Sequence, residues 1–457
     1  MCHFGCSKNL IDTEVAIGHF KNHNYTIINH PEEADIIVIN TCGFIDSAKE
    51  EAINTILEMA EYKKHNCKYL IVMGCLVQRY YDDLLKELPE VDLFIRLDEY
   101  NRFWDKVNDL IEKGVVETSE YKSNIKISEV KKLPLPNMNE FFERVITTGK
   151  NYAYLKIGEG CSNKCTYCAI PYIRGPFVSR PMEEIIKEAN LLAKKGIKEL
   201  IIIAQDTTKY GIDLYGKSRL ADLLQSLCKI EKIEWIRFLY SYPEGITDEL
   251  IDVVNNNDKI CKYFDIPIQH ISNQVLKKMN RQTSKENIEK LILKIRNKIP
   301  DVTLRTSLIV GFPGETEEQF NELYDFIEKT KFDKLGVFEY SKEDGTPAAK
   351  LPEQIHSSTK RARYNKIMKL QQDISNDIMK KKVGKIVEVI VESIHPQDKR
   401  YLIGRTKQDV PDIDGVIYIK NKPNLIESEI VNTIVKCEVT DCLEYDIIGK
   451  LLKGDKK

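Results

Sequence analysis

The sequence predicts an α/β chain in three parts: an open parallel α/β sheet, a central partial barrel of six β/α units, and a small all-β domain. Three observations predict it. Short, continuously apolar runs alternate with helical stretches over residues 1 to 120, as buried parallel strands do. The alternation returns between 150 and 345 with six strand candidates, more than one open sheet holds comfortably, which favours a partly closed barrel. After Gly384 the pattern changes to short β-like stretches such as "KIVEVIVESI" and "GVIYIK".

In the first part, "ADIIVINTCGF" holds a buried strand, Ile36 to Ile39, that runs into Thr41-Cys42-Gly43, followed by a helical stretch from Ser47 to Lys64. "KYLIVMGCLVQ" repeats the plan, with strand Tyr69 to Met73, then Gly74-Cys75, then a helix near Tyr80 to Leu88; "VDLFI" is a third strand. Cys42 and Cys75 thus fall beyond the carboxyl ends of strands, where open α/β sheets place their chemistry. Cys6 precedes a helical pattern starting near Asn9, yet only Met1 to Phe4 stand before Gly5. The first strand is expected to be truncated, or the natural start to lie upstream, and restoring missing residues is expected to raise metal occupancy near Cys6.

Residues 121–146 read as a charged, proline-containing linker. The barrel strands are Ala153 to Ile157, Leu200 to Ala204, Trp235 to Tyr240, Phe264 to Ile268, Leu304 to Val310 and Leu335 to Tyr340. Residues 354 to 382 form a basic amphipathic helix with Ile367, Leu370, Ile374 and Ile378 on one face. The expected domains are therefore 1–120, 147–380 with its trailing helix, and 381–453.

Charged residues make up 30% of the 457, apolar residues 42%, and the formal net charge is -2. That balance gives no bulk reason to infer nucleic acid. No apolar run is long enough for a bilayer and no signal segment opens the chain, so a cytoplasmic protein without a membrane partner is expected. Twelve cysteines in such a chain point to metal rather than disulfides.

The densest cysteine motif is "GEGCSNKCTYCAIPYIRG", which spaces Cys161, Cys165 and Cys168 as Cys-x3-Cys-x2-Cys after a strand. Three soft thiolates without an adjacent fourth ligand suit a closed zinc site poorly. A cubane iron–sulfur cluster is usually held by four cysteines, so three would leave one iron open. This motif resembles that of the radical S-adenosylmethionine superfamily, in which the open iron chelates the cofactor and a 5'-deoxyadenosyl radical is generated. "GCSKNLIDTE", "NTCGFIDSAKEEAI" and "GCLVQRY" look like the three ligand segments of its methylthiotransferase family, and the C-terminal part resembles a TRAM domain. The resemblance spans almost the whole chain. It implies that Cys161, Cys165 and Cys168 hold a radical-generating 4Fe-4S cluster and that Cys6, Cys42 and Cys75 hold an auxiliary one carrying the transferred sulfur. Cys2, Cys67, Cys228, Cys261, Cys437 and Cys442 match no ligand position.

Several stretches are similar to the branch that modifies an aspartate of ribosomal protein S12, among them "IIAQDTTKYGIDLYG", "YFDIPIQHISNQVLKKMNR" and "EDGTPAAKLP". The other main branch modifies an adenosine derivative in tRNA. From Val383 to Lys450 there are nine Lys/Arg against twelve Asp/Glu, an acidic balance that suits a basic ribosomal protein better than RNA. The resemblance implies S-adenosylmethionine as both methyl donor and radical source, with S12 or the small ribosomal subunit as partner. An external electron donor and a sulfur source are needed, and a monomer is expected. The alternatives are a tRNA methylthiotransferase and a non-catalytic RNA- or ribosome-binding metalloprotein.

Among cofactor contacts, Tyr167 is expected near the adenine. "VGFPGET" offers Gly311 and Gly314 as a backbone surface for the cofactor, or simply as a strand-to-helix turn leading to Thr316. Arg305 would contact the cofactor carboxylate or ribose. Gln205 and Gln269 would line the cavity, His270 would be a donor or a structural histidine, and Arg174 would screen the cluster or dock substrate.

Overall fold

The computed structural model describes residues 1–114, 133, 143–149, 151–420 and 430–452, so most of the expected linker 121–146 lies outside the described residues. Four parallel strands, β1 (Cys2–His3), β2 (Ile36–Thr41), β3 (Tyr69–Gly74) and β4 (Leu93–Ile95), form the first sheet in chain order. Four helices accompany them: α1 (Ser7–Asn22), α2 (Asp46–Ala60), α3 (Cys75–Glu87) and α4 (Phe103–Lys113). Ile37, Ile39, Leu70 and Val72 pack against Ala52 and Ile56 of α2 and Leu76 and Tyr81 of α3. Val38, Ile71 and Met73 pack against Phe20 of α1 and Val107 of α4 on the other face. Alternate residues of each strand thus meet opposite helix layers, which is why these strands read as unbroken apolar runs.

Two details sharpen the sequence reading. β1 has only two residues, in register with Ile39 and Asn40. The helix after β3 begins at Cys75 itself rather than near Tyr80, because Gly74 at φ +107° turns the chain directly into it. A Cβ there would lie 2.4 Å from Asn40 Oδ1, so only glycine fits the corner.

The central part contains β5 (Tyr152–Lys156), an antiparallel pair β6 (Gly158–Glu159) and β7 (Val178–Ser179), then β8 (Glu199–Ile203), β9 (Trp235–Phe238), β10 (Tyr263–Asp265), β11 (Thr303–Val310) and β12 (Lys334–Glu339). The six principal strands are parallel and form two sheets, β5-β8-β9 and β10-β11-β12, joined by a parallel bridge between Ile236 and Ile260. Leu155, Ile202, Phe238, Phe264 and Leu308 face the outer helices. Tyr154, Ile201, Ile203, Trp235 and Tyr263 fill the interior, which is closed at one end by Ile11 of α1. The helix Ser357–Lys380 then leads to β13 (Ile386–Ile394), β14 (Tyr401–Thr406), β15 (Ile417–Lys420), β16 (Ile434–Cys442) and β17 (Ile447–Leu451), a closed barrel in the order β13-β14-β15-β17-β16.

The small barrel plugs the amino-terminal mouth of the larger one. Val410 enters the interior cluster beside Tyr152 and Tyr263. The Tyr152 and Tyr263 hydroxyls donate to Asp412 (2.9 Å) and Asp414 (2.8 Å), and Lys334 pairs with Asp409 at 2.8 Å. Glu199, fully buried, accepts from Arg237 and Arg405, each at 2.8 Å. Several acids behind the acidic balance of this domain are therefore engaged inward, and its formal charge overstates the acidity of its free surface. Glu199→Gln would leave two buried guanidiniums around a neutral amide, with an expected loss of about 3–5 kcal/mol. Thermal unfolding measures it; an unchanged Tm would refute the plug's contribution.

Candidate active site

Cys6, Cys42 and Cys75 reach one edge of the first sheet by three different corners. Cys6 is the N-cap of α1, Cys42 directly follows β2, and Cys75 opens α3. Glycines let these corners converge: a Cβ on Gly5 would lie 2.9 Å from Cys42 Cβ, and one on Gly43 would lie 2.8 Å from Leu76 backbone atoms. Asn9 ties the corners together. Its amide donates to the carbonyls of Phe4 (3.1 Å) and Thr41 (3.0 Å), and its Oδ1 accepts from Cys75 Sγ at 3.5 Å.

The second cysteine set occupies the loop between β6 and β7. Gly160, at φ +75°, brings the chain so close to the carbonyls of Arg174, Gly175 and Pro176 that no side chain fits. The Cys161 amide donates to the Gly175 carbonyl at 2.9 Å and the Thr166 amide to the Met279 carbonyl at 3.1 Å. Arg281 reaches Cys165 Sγ at 3.9 Å, and the Tyr242 hydroxyl lies 3.7 Å from the same sulfur.

A buried charge network joins the two sets. Arg174, which ends the helix after the cysteine loop, donates to Asp12 of α1 and to Glu159 of β6, each at 3.0 Å, and also to Asn9 Oδ1. Lys156 completes the square, donating to Asp12 at 2.6 Å and Glu159 at 2.9 Å. Burial alone would raise the Glu159 pKa, but Arg174 and Lys156 hold it below the ordinary carboxylate range. A second clamp sets Glu343 against Arg79 (2.9 Å) and Lys49 (3.1 Å), while Arg79 also donates to the Gly43 carbonyl. The cysteine edge of the first domain consequently caps the carboxyl-terminal mouth of the barrel.

The other sequence-selected residues divide into three groups. Tyr167 packs with Phe312, Met279 and Tyr340, beside the Gly311–Gly314 turn. Gly311 and Gly314 both have positive φ, and Thr316 caps the following helix, so the turn itself accounts for both glycines. Gln205 donates to Glu159 at 2.9 Å and leaves a buried Oε1 without a partner. Gln269 takes φ +69° beyond the end of β10, and Tyr240 takes φ +60° after β9. Such backbone is costly for residues with side chains and gathers at functional sites. Arg305 forms a 2.7 Å pair with Asp265, which also accepts the Tyr240 amide at 2.9 Å. His270 is fully buried, with Nδ1 accepting the Ser272 amide at 3.0 Å. Sequence reasoning missed Asn9, Asp12, Lys156, Glu159, Tyr242 and Arg281. Asn9 and Asp12 lie three apart on α1 and left one trace, a polar stripe on a helix facing inward.

The donor sets suit clusters rather than single ions. Among the described residues, no three Cys, His, Asp or Glu side chains close around one ion, whereas a cubane takes each thiolate at a separate iron. The unpartnered Gln205 Oε1 and the buried, unpartnered Tyr340 hydroxyl beside Tyr167 fit a polar organic cofactor at the same mouth. Burial pushes the Cys75 and Cys161 thiols up to about 12 and raises Cys42 and Cys168 as well. Thiolate ligation must then displace protons. At fixed iron and sulfide, occupancy of the apoprotein is expected to rise with pH from 6.5 to 8.5, with protons released on assembly. Loading that is flat or falls with pH would contradict this.

Fold and site together define a radical S-adenosylmethionine enzyme with an auxiliary cysteine domain. Models of the Radical SAM superfamily, the Uncharacterized protein family UPF0004 and the TRAM domain match residues 155–327, 1–96 and 383–452. The ribosomal protein uS12 methylthiotransferase RimO of Alkaliphilus oremlandii is 59% identical over 452 residues, covering 99% of this chain and 98% of that protein. Its counterpart in Clostridioides difficile is 49% identical over 449 residues, covering 98% and 97%. The radical S-adenosylmethionine methyltransferase TsrM from Kitasatospora setae, solved with cobalamin and a 4Fe-4S cluster, shares the fold at TM-score 0.53 and 10% identity, covering 74% and 70% of the two chains. The chain belongs to the ribosomal protein uS12 methylthiotransferase family and is a radical S-adenosylmethionine methylthiotransferase. Its cofactors are S-adenosylmethionine and 4Fe-4S clusters, two being typical of the family.

Proposed function

We propose that this enzyme adds a methylthio group to the β-carbon of an aspartate in ribosomal protein S12. Cys161, Cys165 and Cys168 are assigned to the radical-generating cluster, and Cys6, Cys42 and Cys75 to the auxiliary cluster. The observation that carries this reading is the buried Arg174 network, which fixes one cysteine set over the other across the barrel mouth. When bound, the clusters and S-adenosylmethionine supply the reducing electron, the hydrogen-abstracting radical and the methylated sulfur.

The chain's own residues supply position. Arg281 and Tyr242 press on the Cys165 thiol from the barrel side, and Asn9 orients Cys75 from the sheet side. Tyr167, Gln205, Gln269 and the backbone at Gly311 and Gly314 are assigned to the S-adenosylmethionine pocket. Arg305 is assigned to its outer rim, since its guanidinium is committed to Asp265. A β-carbon must lie between the two sets at once, and holding reactants so is worth orders of magnitude in rate. We place the enzyme in the cytoplasm as a monomer, dependent on an external electron donor and sulfur source. Among the described residues no helix is long and apolar enough to cross a membrane.

The reconstituted enzyme is expected to hold about eight irons and to add a methylthio mass to an S12 aspartate while leaving tRNA unmodified. Cys6→Ala should retain S-adenosylmethionine cleavage but lose methylthio transfer; Cys161→Ala should lose both. Methylthiolated tRNA with unmodified S12 would overturn the substrate assignment.

A further inference from the structure

Lys8 stands two residues beyond Cys6 in the first turn of α1 and is only 6% exposed. Its Nζ lies 3.3 Å from the centroid of the Tyr240 ring. Among the described residues it has neither an ion pair nor a hydrogen-bond acceptor. Its cationic neighbours differ: Lys156 and Arg174 share Asp12 and Glu159 between them. Lys156 and Arg174 are matched by Asp12 and Glu159, and Arg305 by Asp265, which accepts the Tyr240 amide, so among the described residues Lys8 carries a charge without a matching carboxylate. A buried ammonium without an anion is costly, and an aromatic face offsets only part of that cost.

The position of Lys8 says what would complete it. Tyr240 sits in a strained backbone conformation at the carboxyl end of β9, with φ +60°. Two residues on, the Tyr242 hydroxyl touches Cys165 at 3.7 Å. The short segment 240–242 thus runs from the ring beneath the Lys8 ammonium to the radical-cluster loop, and Lys8 follows Cys6 by two residues in the chain. A target carbon facing both cysteine sets would lie near this segment. In an aspartate, the carboxylate is bonded directly to the β-carbon.

We propose that Lys8, held over the Tyr240 ring, binds the side-chain carboxylate of the target aspartate and selects an acidic side chain over a neutral one. The proposal rests on the S12 reading above and adds the residue that recognises the substrate. A charge-assisted contact of this kind aligns the β-carbon and gives a neutral nucleobase no equivalent gain.

The test uses reconstituted enzyme with S12, and with S12 whose target aspartate is replaced by asparagine. Wild-type enzyme is expected to bind native S12 about 10- to 100-fold tighter than the asparagine form, the range of a hydrogen bond to a charged group. Lys8→Met should bind both forms equally, and Lys8→Arg should restore part of the preference. Iron content and the cluster EPR signals should be unchanged in both variants. A Lys8→Met enzyme that discriminates as wild type does would overturn the proposal. So would one that loses auxiliary iron, since Lys8 would then be balancing the cluster's charge. If wild-type enzyme binds and modifies no S12 at all, the substrate reading itself fails, a result distinct from loss of discrimination alone.

Discussion

The arrangement depends on one buried guanidinium. Arg174 is 2% exposed and stands between a helix of the first domain and the cysteine loop of the second. Burying such a charge is tolerable only with close partners of opposite sign. Asp12, Glu159 and Lys156 make the group electrically neutral, two cations against two carboxylates, and Asn9 occupies a further donor. An ion group of this kind adds little net stability over apolar packing, but removing one member costs on the order of 3–5 kcal/mol. Its value lies in registry. A sheet edge that slid by one helical turn along the barrel mouth would separate Asp12 and Asn9 from Arg174 and Lys156, leaving two buried cations to share Glu159 alone, so the two cysteine sets have one relative placement.

The rest of the molecule supports that placement from a distance. Glu343 clamps α2 and α3 to the loop after β12, and the glycines at 5, 43 and 74 let three chain corners approach closely enough for their cysteines to converge. At the opposite end, the small β-barrel closes the interior with Val410 and a set of inward-facing acids. The interior is thus stoppered below by the C-terminal domain and covered above by α1.

Much of this was legible in the sequence, for identifiable reasons. Continuous apolar runs such as Ile36–Ile39 and Tyr69–Met73 announce strands buried on both faces, and the parallel sheet follows. Cys161, Cys165 and Cys168 could be read because thiolate chemistry restricts residue type and local spacing, whereas Cys6, Cys42 and Cys75, in three separate segments, were joined only by resemblance to the methylthiotransferase family. The network that aligns them could not. Asp12, Lys156, Glu159 and Arg174 are ordinary charged residues whose significance comes from burial and from partners up to 162 positions apart. The acidic balance of the C-terminal domain agrees with the uS12 family, although composition counts charges without saying which face inward. Arg305 shows a further limit: a strand position near a glycine turn suggested a cofactor contact, and sequence could not show that its guanidinium pairs with Asp265.

The central claim is that the fold fixes two clusters over one substrate carbon. Pulsed EPR on the reduced, reconstituted enzyme tests it most directly. Magnetic coupling between the two cluster spins is predicted in the wild type, and its loss in Arg174→Met while both individual signals persist. Two full-strength but uncoupled signals in the wild-type enzyme would contradict the account.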